Sequence, residues 1–474
     1  MTSPSRRKFI STGLGAAAAG GIGYLTRDYW YPLVLERIAP KPTPSSSPIQ
    51  TPANNPPVVD LKIVSPRFLN PYVGQKVKFG YVVSDEDGDQ LALKLIEDDQ
   101  TVKEWTVEKA PNSQITNVDD VISRSYQKEG GHKLVLEASD KDKKSKRWDD
   151  ISFDVETEQI PDYPTKPLDV KYKGINYYAT GISGWGFYTP TKDQMNEHFD
   201  TILNELGCNA IIVTGDGNAE DHLIESTRLA LGKGFDSVYI HPRYVNESID
   251  TALEKLAKFA PKVKSLREES SKVVFMIGRE FSIEQSGIVR GSDWFTRLAN
   301  IARDWNRIQS MFGPYTWKVI SALNKSYGHE LAYASGAWEA DLVPWDNPAF
   351  ESVMTNAYID QYYGHTETNV LGQLSGLKRY GKPVHSTEWG CFAFPDGEKY
   401  GGGGSLFKPW QFPEDQKEQA NYIIKYLNML NRAKIDGSFY ILYDDPFPQS
   451  TGLLNGTRRR LGFYAYKSYR RAGS

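Results

Sequence analysis

Two rhythms of apolar and polar positions divide the chain. From residue 57 to 158, short runs alternate or are β-branched: V-D-L-K-I-V, K-V-K-F-G-Y-V-V, L-A-L-K-L-I, K-E-W-T-V, H-K-L-V-L-E-A-S and D-I-S-F-D-V. Turn residues punctuate them, which predicts strands with one face buried and a small all-β sandwich over 59–160. From about residue 168 the runs become continuous and are separated by amphipathic stretches such as I-D-T-A-L-E-K-L-A-K-F-A. Eight strands are expected at 172–178, 209–214, 237–241, 272–277, 330–335, 352–358, 382–387 and 437–443. Strand–helix alternation over about 300 residues predicts an α/β fold, a (β/α)8 barrel over 168–474. A doubly wound open sheet is the rival, but no glycine-rich phosphate fingerprint follows the first strand.

The N-terminal residues read as address and spacer. In S-P-S-R-R-K-F-I, Arg6 and Arg7 precede a short, mildly apolar run from Ile10 to Leu25. That layout resembles a twin-arginine export signal over residues 1–38. The run is short for a membrane span. No clean cleavage site stands out, so the signal is either removed or kept as a tether to a membrane or wall. Residues 39–58 are rich in Pro, Ser and Thr and predict an extended linker. Export places the protein at the cell surface, in the periplasm or outside the cell.

Within the sandwich, S-D-E-D-G-D-Q-L (84–91) and L-E-A-S-D (136–140) resemble cadherin-like or bacterial immunoglobulin-like modules of exported proteins. Asp85, Asp87 and Asp89 offer oxygens to calcium. A tight acidic turn, bonding its own backbone, is the simpler reading.

Composition narrows the rest. Over 474 residues the net charge is −3, which leaves no electrostatic footprint for nucleic acid. Two cysteines, Cys208 and Cys391, exclude a disulfide framework and leave one bridge open. An aromatic share of 12% suits stacking on sugar rings as well as core packing.

In a barrel of this kind the reacting residues sit at the C-terminal ends of the strands. Those ends read Asp216, His241, Arg279-Glu280, Trp338-Glu339, Tyr358, Glu388-Trp389 and Asp444-Asp445. Two glutamates, Glu280 in F-M-I-G-R-E-F and Glu388 in H-S-T-E-W-G, end the fourth and seventh strands, on opposite sides of the ring. Paired carboxyls across a scissile bond are what glycoside cleavage requires. The barrel resembles clan A of the glycoside hydrolases, the 4/7 superfamily. That resemblance implies Glu280 as acid/base, Glu388 as nucleophile, and Tyr358 as a hydrogen-bond partner of the nucleophile. It implies a retaining hydrolase of β-linked oligo- or polysaccharides, monomeric and without a cofactor.

One departure stands out: Arg279 occupies the place of the family's asparagine. It would bond a sugar hydroxyl, bind the carboxylate of an acidic sugar, or pair with a neighbour such as Glu339. Trp389 is expected to wall the site, and Trp185, Trp338, Trp345 and Trp389 are candidate sugar platforms, about half of them expected only to pack. Glu339, Asp445 and His241 are expected as substrate or supporting ligands, and no ligand-spaced cluster makes His241 a metal ligand. Glu284 is a nearby competitor for the role of Glu280. The glycine-rich loop at 396–405 reads as a lid or a slack surface loop. A non-catalytic sugar-binding scaffold on a degenerate barrel, or a transglycosylase, would carry many of the same residues.

Overall fold

The computed structural model describes residues 57–65, 71, 73–84, 90–107, 115–140, 146–155, 160–180, 189–361, 364–402, 412–444, 450–455 and 458–472. The export signal, most of the linker, Asp85, Asp87, Asp89, Trp185 and Asp445 lie outside these residues.

Seven strands come first: β1 (Val58–Ser65), β2 (Lys76–Ser84), β3 (Leu91–Glu97), β4 (Gln100–Val107), β5 (Ile115–Ser125), β6 (Gly130–Asp140) and β7 (Lys146–Val155). They form two antiparallel sheets, ordered β1-β2-β5 and β4-β3-β6-β7. The alternation read from the sequence is the cause: Leu91, Leu93 and Leu95 face inward, with half-buried Ala92 and Lys94 between them. Leu61, Phe79 and Tyr81 of one sheet share a core with Leu93, Leu136 and Phe153 of the other. The result is a sandwich.

A short strand, β8 (Lys166–Leu168), leads into the barrel. Its staves are β9 (Tyr172–Tyr178), β10 (Ala210–Asp216), β11 (Ser237–Arg243), β12 (Val273–Arg279), β13 (Leu331–Ser335), β14 (Val353–Asn356), β15 (Val384–Glu388) and β16 (Gly437–Tyr440). They pair in chain order, parallel throughout, and β16 closes on β9. The eight-stranded barrel expected from the sequence is therefore present, and an open sheet is excluded.

Both faces of each strand are buried, one against the helices and one inside the ring, so the strands read as unbroken apolar runs. Ala210, Ile212, Tyr239, Val274, Met276, Ala332, Met354 and Phe439 fill the interior. Two residues further along several strands the inward set turns polar: Ile212 gives way to Thr214, Tyr239 to His241 and then Arg243, Met354 to Asn356. A period of two therefore carries each strand from the packed core to a polar mouth.

The floor is fastened by a buried lysine. Lys173 donates from Nζ to the carbonyls of Leu206, Tyr466 and Tyr469, at 2.6, 2.9 and 2.6 Å. Burial pushes its pKa down to about 8. Those carbonyls sit at helix ends, where intrahelical partners run out. Cys208 and Cys391 are both free and buried thiols, so the bridge left open by the sequence is not formed. Among the described residues no helix is long and apolar enough to cross a membrane.

Lys173→Met should destabilise the protein by about 3 kcal/mol in chemical unfolding, because three buried carbonyls lose their donor. Lys258→Met, at an exposed position, should stay within about 0.5 kcal/mol. Equal effects would contradict the fastening role.

Candidate active site

The mouth of the barrel is built where two strands break register. On β12, Met276 pairs with Ala332 and Arg279 with Ala334, so three residues span the space of two. On β15, Ser386 pairs with Thr355 and Glu388 with Asn356, so one residue is extra. Such bulges re-aim the side chains that follow them. They bring Arg279 and Glu388 into one buried cluster and set Asn356 of β14 beside both glutamates.

Glu280 follows at once, with φ +46° and ψ 51°, in the left-handed region that side chains rarely adopt. Holding a non-glycine residue there costs roughly 1–2 kcal/mol. The conformation is fixed by its own N–H, which donates to the Ala334 carbonyl at 2.9 Å, and by its carbonyl, which accepts from Ile283 N. Gly278 makes room for the turn: a Cβ there would meet the Phe281 ring at 2.0 Å.

Glu280 and Glu388 are held differently. Asn356 Nδ2 donates to Glu280 Oε1 at 3.0 Å, and Thr387 Oγ1 donates to Asn356 Oδ1 at 3.0 Å, which fixes the amide. Arg279 Nη1 donates to Glu388 Oε2 at 2.7 Å. Tyr358 also hydrogen-bonds Glu388, and burial followed by that carboxylate's charge raises its pKa well above the usual tyrosine range. Burial, then the charge of Glu388, pushes Glu280 up to about 8, against the opposing pull of Arg279 and Asn356. Burial works against the charge on Arg279, but Glu388, Tyr178 and Glu284 outweigh it and hold the guanidinium charged.

Arg279 belongs to a larger network. Its Nη2 donates to Tyr178 OH at 2.9 Å, and its Nε lies 3.6 Å from Glu284 Oε1. Arg243 Nη1 donates to the same tyrosine oxygen at 3.2 Å, and its Nη2 donates to Glu284 Oε1. His241 lies within reach of both guanidinium charges. Burial, then those charges, hold its pKa well below the usual histidine value, so the ring is neutral. Its Nδ1 faces Thr214 Oγ1 at 2.8 Å, while Nε2 has no hydrogen-bond partner.

Several expectations are corrected. Of the neighbours open to it, Arg279 pairs with Glu388 rather than Glu339, and it also engages Tyr178 and Glu284. Glu339 is fully buried: it accepts from Ser282 N at 2.8 Å, Tyr333 OH at 2.6 Å and Gly336 N at 3.2 Å, and it braces the turn behind Glu280. Burial raises its pKa to about 7 against those bonds.

Trp389 is no wall of the site. It turns away from the barrel mouth and stacks on Tyr426 at 4.2 Å, with Nε1 donating to Ser438 Oγ. Trp345 is likewise packed in the core, its Nε1 on the Ala340 carbonyl. Trp338 stays half-buried at the rim, bonded to Ser282 Oγ. Buried His241 supports the mouth from below, and Asp216 caps its own turn by accepting from Asn218 N at 2.9 Å. In the 396–405 loop, Gly397–Tyr400 forms a short helix, and 403–405 lie outside the described residues.

The sequence reading missed Tyr178 and Arg243. Both are the last residues of their strands, and Arg243 is on the same face as His241, two positions on. Tyr178 already closed the first expected strand and was passed over, and extending the third from His241 by two positions would have reached Arg243.

No family model matches the chain, and no curated protein matches it in sequence. Among solved structures it is similar to the β-glucuronidase of Bacteroides uniformis, at 11% identity and TM-score 0.44, over 87% of this chain and 50% of that one. The Parabacteroides merdae β-glucuronidase is similar at 11% identity and TM-score 0.42, over 87% and 54%. That of Dictyoglomus thermophilum is similar at 13% and 0.43, over 86% and 67%. The chain spans about half the length of the first two.

A carboxyl with a raised folded-state pKa binds its proton more tightly folded than unfolded. Stability from Glu280 therefore falls as pH rises from the ordinary 4.5 to about 8, and nothing is lost below that window. Glu280→Gln removes the penalty. Its melting temperature relative to the wild type should climb from about pH 5 to about pH 8.5. A constant difference would mean that Glu280 titrates normally.

Proposed function

We propose that the protein is an exported, retaining glycoside hydrolase that cleaves β-linked oligo- or polysaccharides with Glu388 as nucleophile and Glu280 as acid/base. One observation carries the reading. Two glutamates at the ends of β12 and β15 share one buried mouth, one bound to a guanidinium at 2.7 Å and the other pushed up to about 8. Double displacement needs this asymmetry, an ionised carboxylate facing a protonated one.

In the first step a Glu388 oxygen attacks the anomeric carbon and Glu280 gives its proton to the departing oxygen. The glycosyl group is then an ester of Glu388. Loss of the carboxylate charge removes a repulsion that, with burial, had kept the proton on Glu280, so Glu280 becomes the base that takes a proton from water. Water attacks the anomeric carbon, and Glu388 leaves as a carboxylate. Tyr358 and Arg279 hold the Glu388 carboxylate in place, and Asn356 orients Glu280. No step calls for a cofactor. An acceptor sugar in place of water would make the same site a transglycosylase.

The N-terminal arginine pair supports export, and the spacer would carry the sandwich and barrel away from a membrane or wall. The protein is taken to act as a monomer.

A panel of aryl β-glycosides and polysaccharides tests the activity. Glu388→Ala should lower kcat by about 10⁴-fold or more, and Glu280→Ala should cost most with poor leaving groups. Sugar binding without turnover by the wild type on the whole panel would favour the scaffold instead.

A further inference from the structure

The charges at the mouth also bear on which sugars enter it. Arg243, Arg279, Glu284 and Glu388 are 3, 5, 4 and 9% exposed, so solvent screens them little. Arg243 meets Glu284, Arg279 lies between Glu284 and Glu388, and Tyr178 accepts from both arginines. The two positive charges are matched by two negative ones. Glu280 is protonated at neutral pH and adds none.

We infer that the site takes an uncharged glycosyl unit next to the scissile bond, and that Glu284 makes it so by holding the guanidinium charge a sugar carboxylate would need. This rests on the glycosidase reading above. A uronate would bring a second full charge beside Glu388 with its cation already committed. Like charges placed together in a buried site cost several kcal/mol. Taking Arg279 for itself would strip Glu388 of its ion-pair partner. A neutral sugar disturbs neither pair, and its hydroxyls find acceptors and donors in Tyr178, Asn356 and the two glutamates.

Glu284 lies four residues beyond Glu280, at the end of the short helix Phe281–Glu284 that the strained turn initiates. The geometry that presents the acid/base thus also delivers the carboxylate that balances the arginines. Sequence position alone suggested a loop competitor for catalysis; its partners give it a specificity role.

The experiment compares kcat/KM for matched aryl β-glucoside, β-galactoside and β-glucuronide, with wild type and Glu284→Gln. Wild type should favour the better neutral substrate over the glucuronide by at least about 100-fold. Glu284→Gln, folded by circular dichroism, leaves one cationic charge unmatched and should narrow that ratio by about 10-fold or more. A wild-type preference for the glucuronide overturns the inference. An unchanged ratio in the folded variant overturns the part assigned to Glu284. If no glycoside is turned over, the glycosidase reading fails separately. Calorimetric binding of glucose against glucuronate to the wild type then decides: tighter glucuronate overturns the inference, tighter glucose upholds it.

Discussion

Two carboxyls share one buried cup, and the mouth depends on the ion pair that gives one of them, Glu388, a guanidinium partner in Arg279. The guanidinium pairs with Glu388 at 2.7 Å, while burial and that carboxylate's charge push Glu280 up to about 8. A buried ion pair is a poor route to stability, because desolvating two ions cancels much of their attraction. It is a good way to fix a protonation state. The rest of the mouth serves this difference: Tyr178 and Glu284 complete the shell of Arg279, and Asn356 completes that of Glu280. The neutral His241 beneath them adds no competing charge.

The barrel supplies the rigidity that such a difference needs. Strands pinned on both sides cannot drift, so a residue at a strand end is held by backbone rather than by a loop. Yet a regular strand would aim these side chains elsewhere. Register breaks at the ends of β12 and β15 and a left-handed Glu280 are local costs, and they fall together where the chemistry is expected. The unpartnered Nε2 of His241 is a further cost in the same place.

Much of this was legible in the sequence. The eight strands were readable because both faces are buried, which turns each into a compact β-branched run. Glu280, Glu388 and Tyr358 were readable because each stands where such a run ends. The bulges were not, since nothing in the residue types of Met276–Arg279 or Ser386–Glu388 announces an extra residue. That is why Trp389 reads as a wall of the site but packs behind it against Tyr426. Glu339 misleads for a related reason: a carboxylate after a strand looks available, and only the folded turn reveals that Ser282, Tyr333 and Gly336 consume it. The charge balance of Arg243, Arg279, Glu284 and Glu388 joins residues up to 145 positions apart, and local pattern cannot express it.

The most direct measurement of the central claim is covalent trapping. The protein would be incubated with a 2-deoxy-2-fluoro glycosyl fluoride of the preferred sugar, digested, and its peptides mapped by mass spectrometry. A glycosyl adduct on Glu388, absent when Glu388→Gln is treated in the same way, is the result expected. Turnover of the parent glycoside with an adduct on another carboxylate, or with inversion at the anomeric carbon, would contradict the assignment.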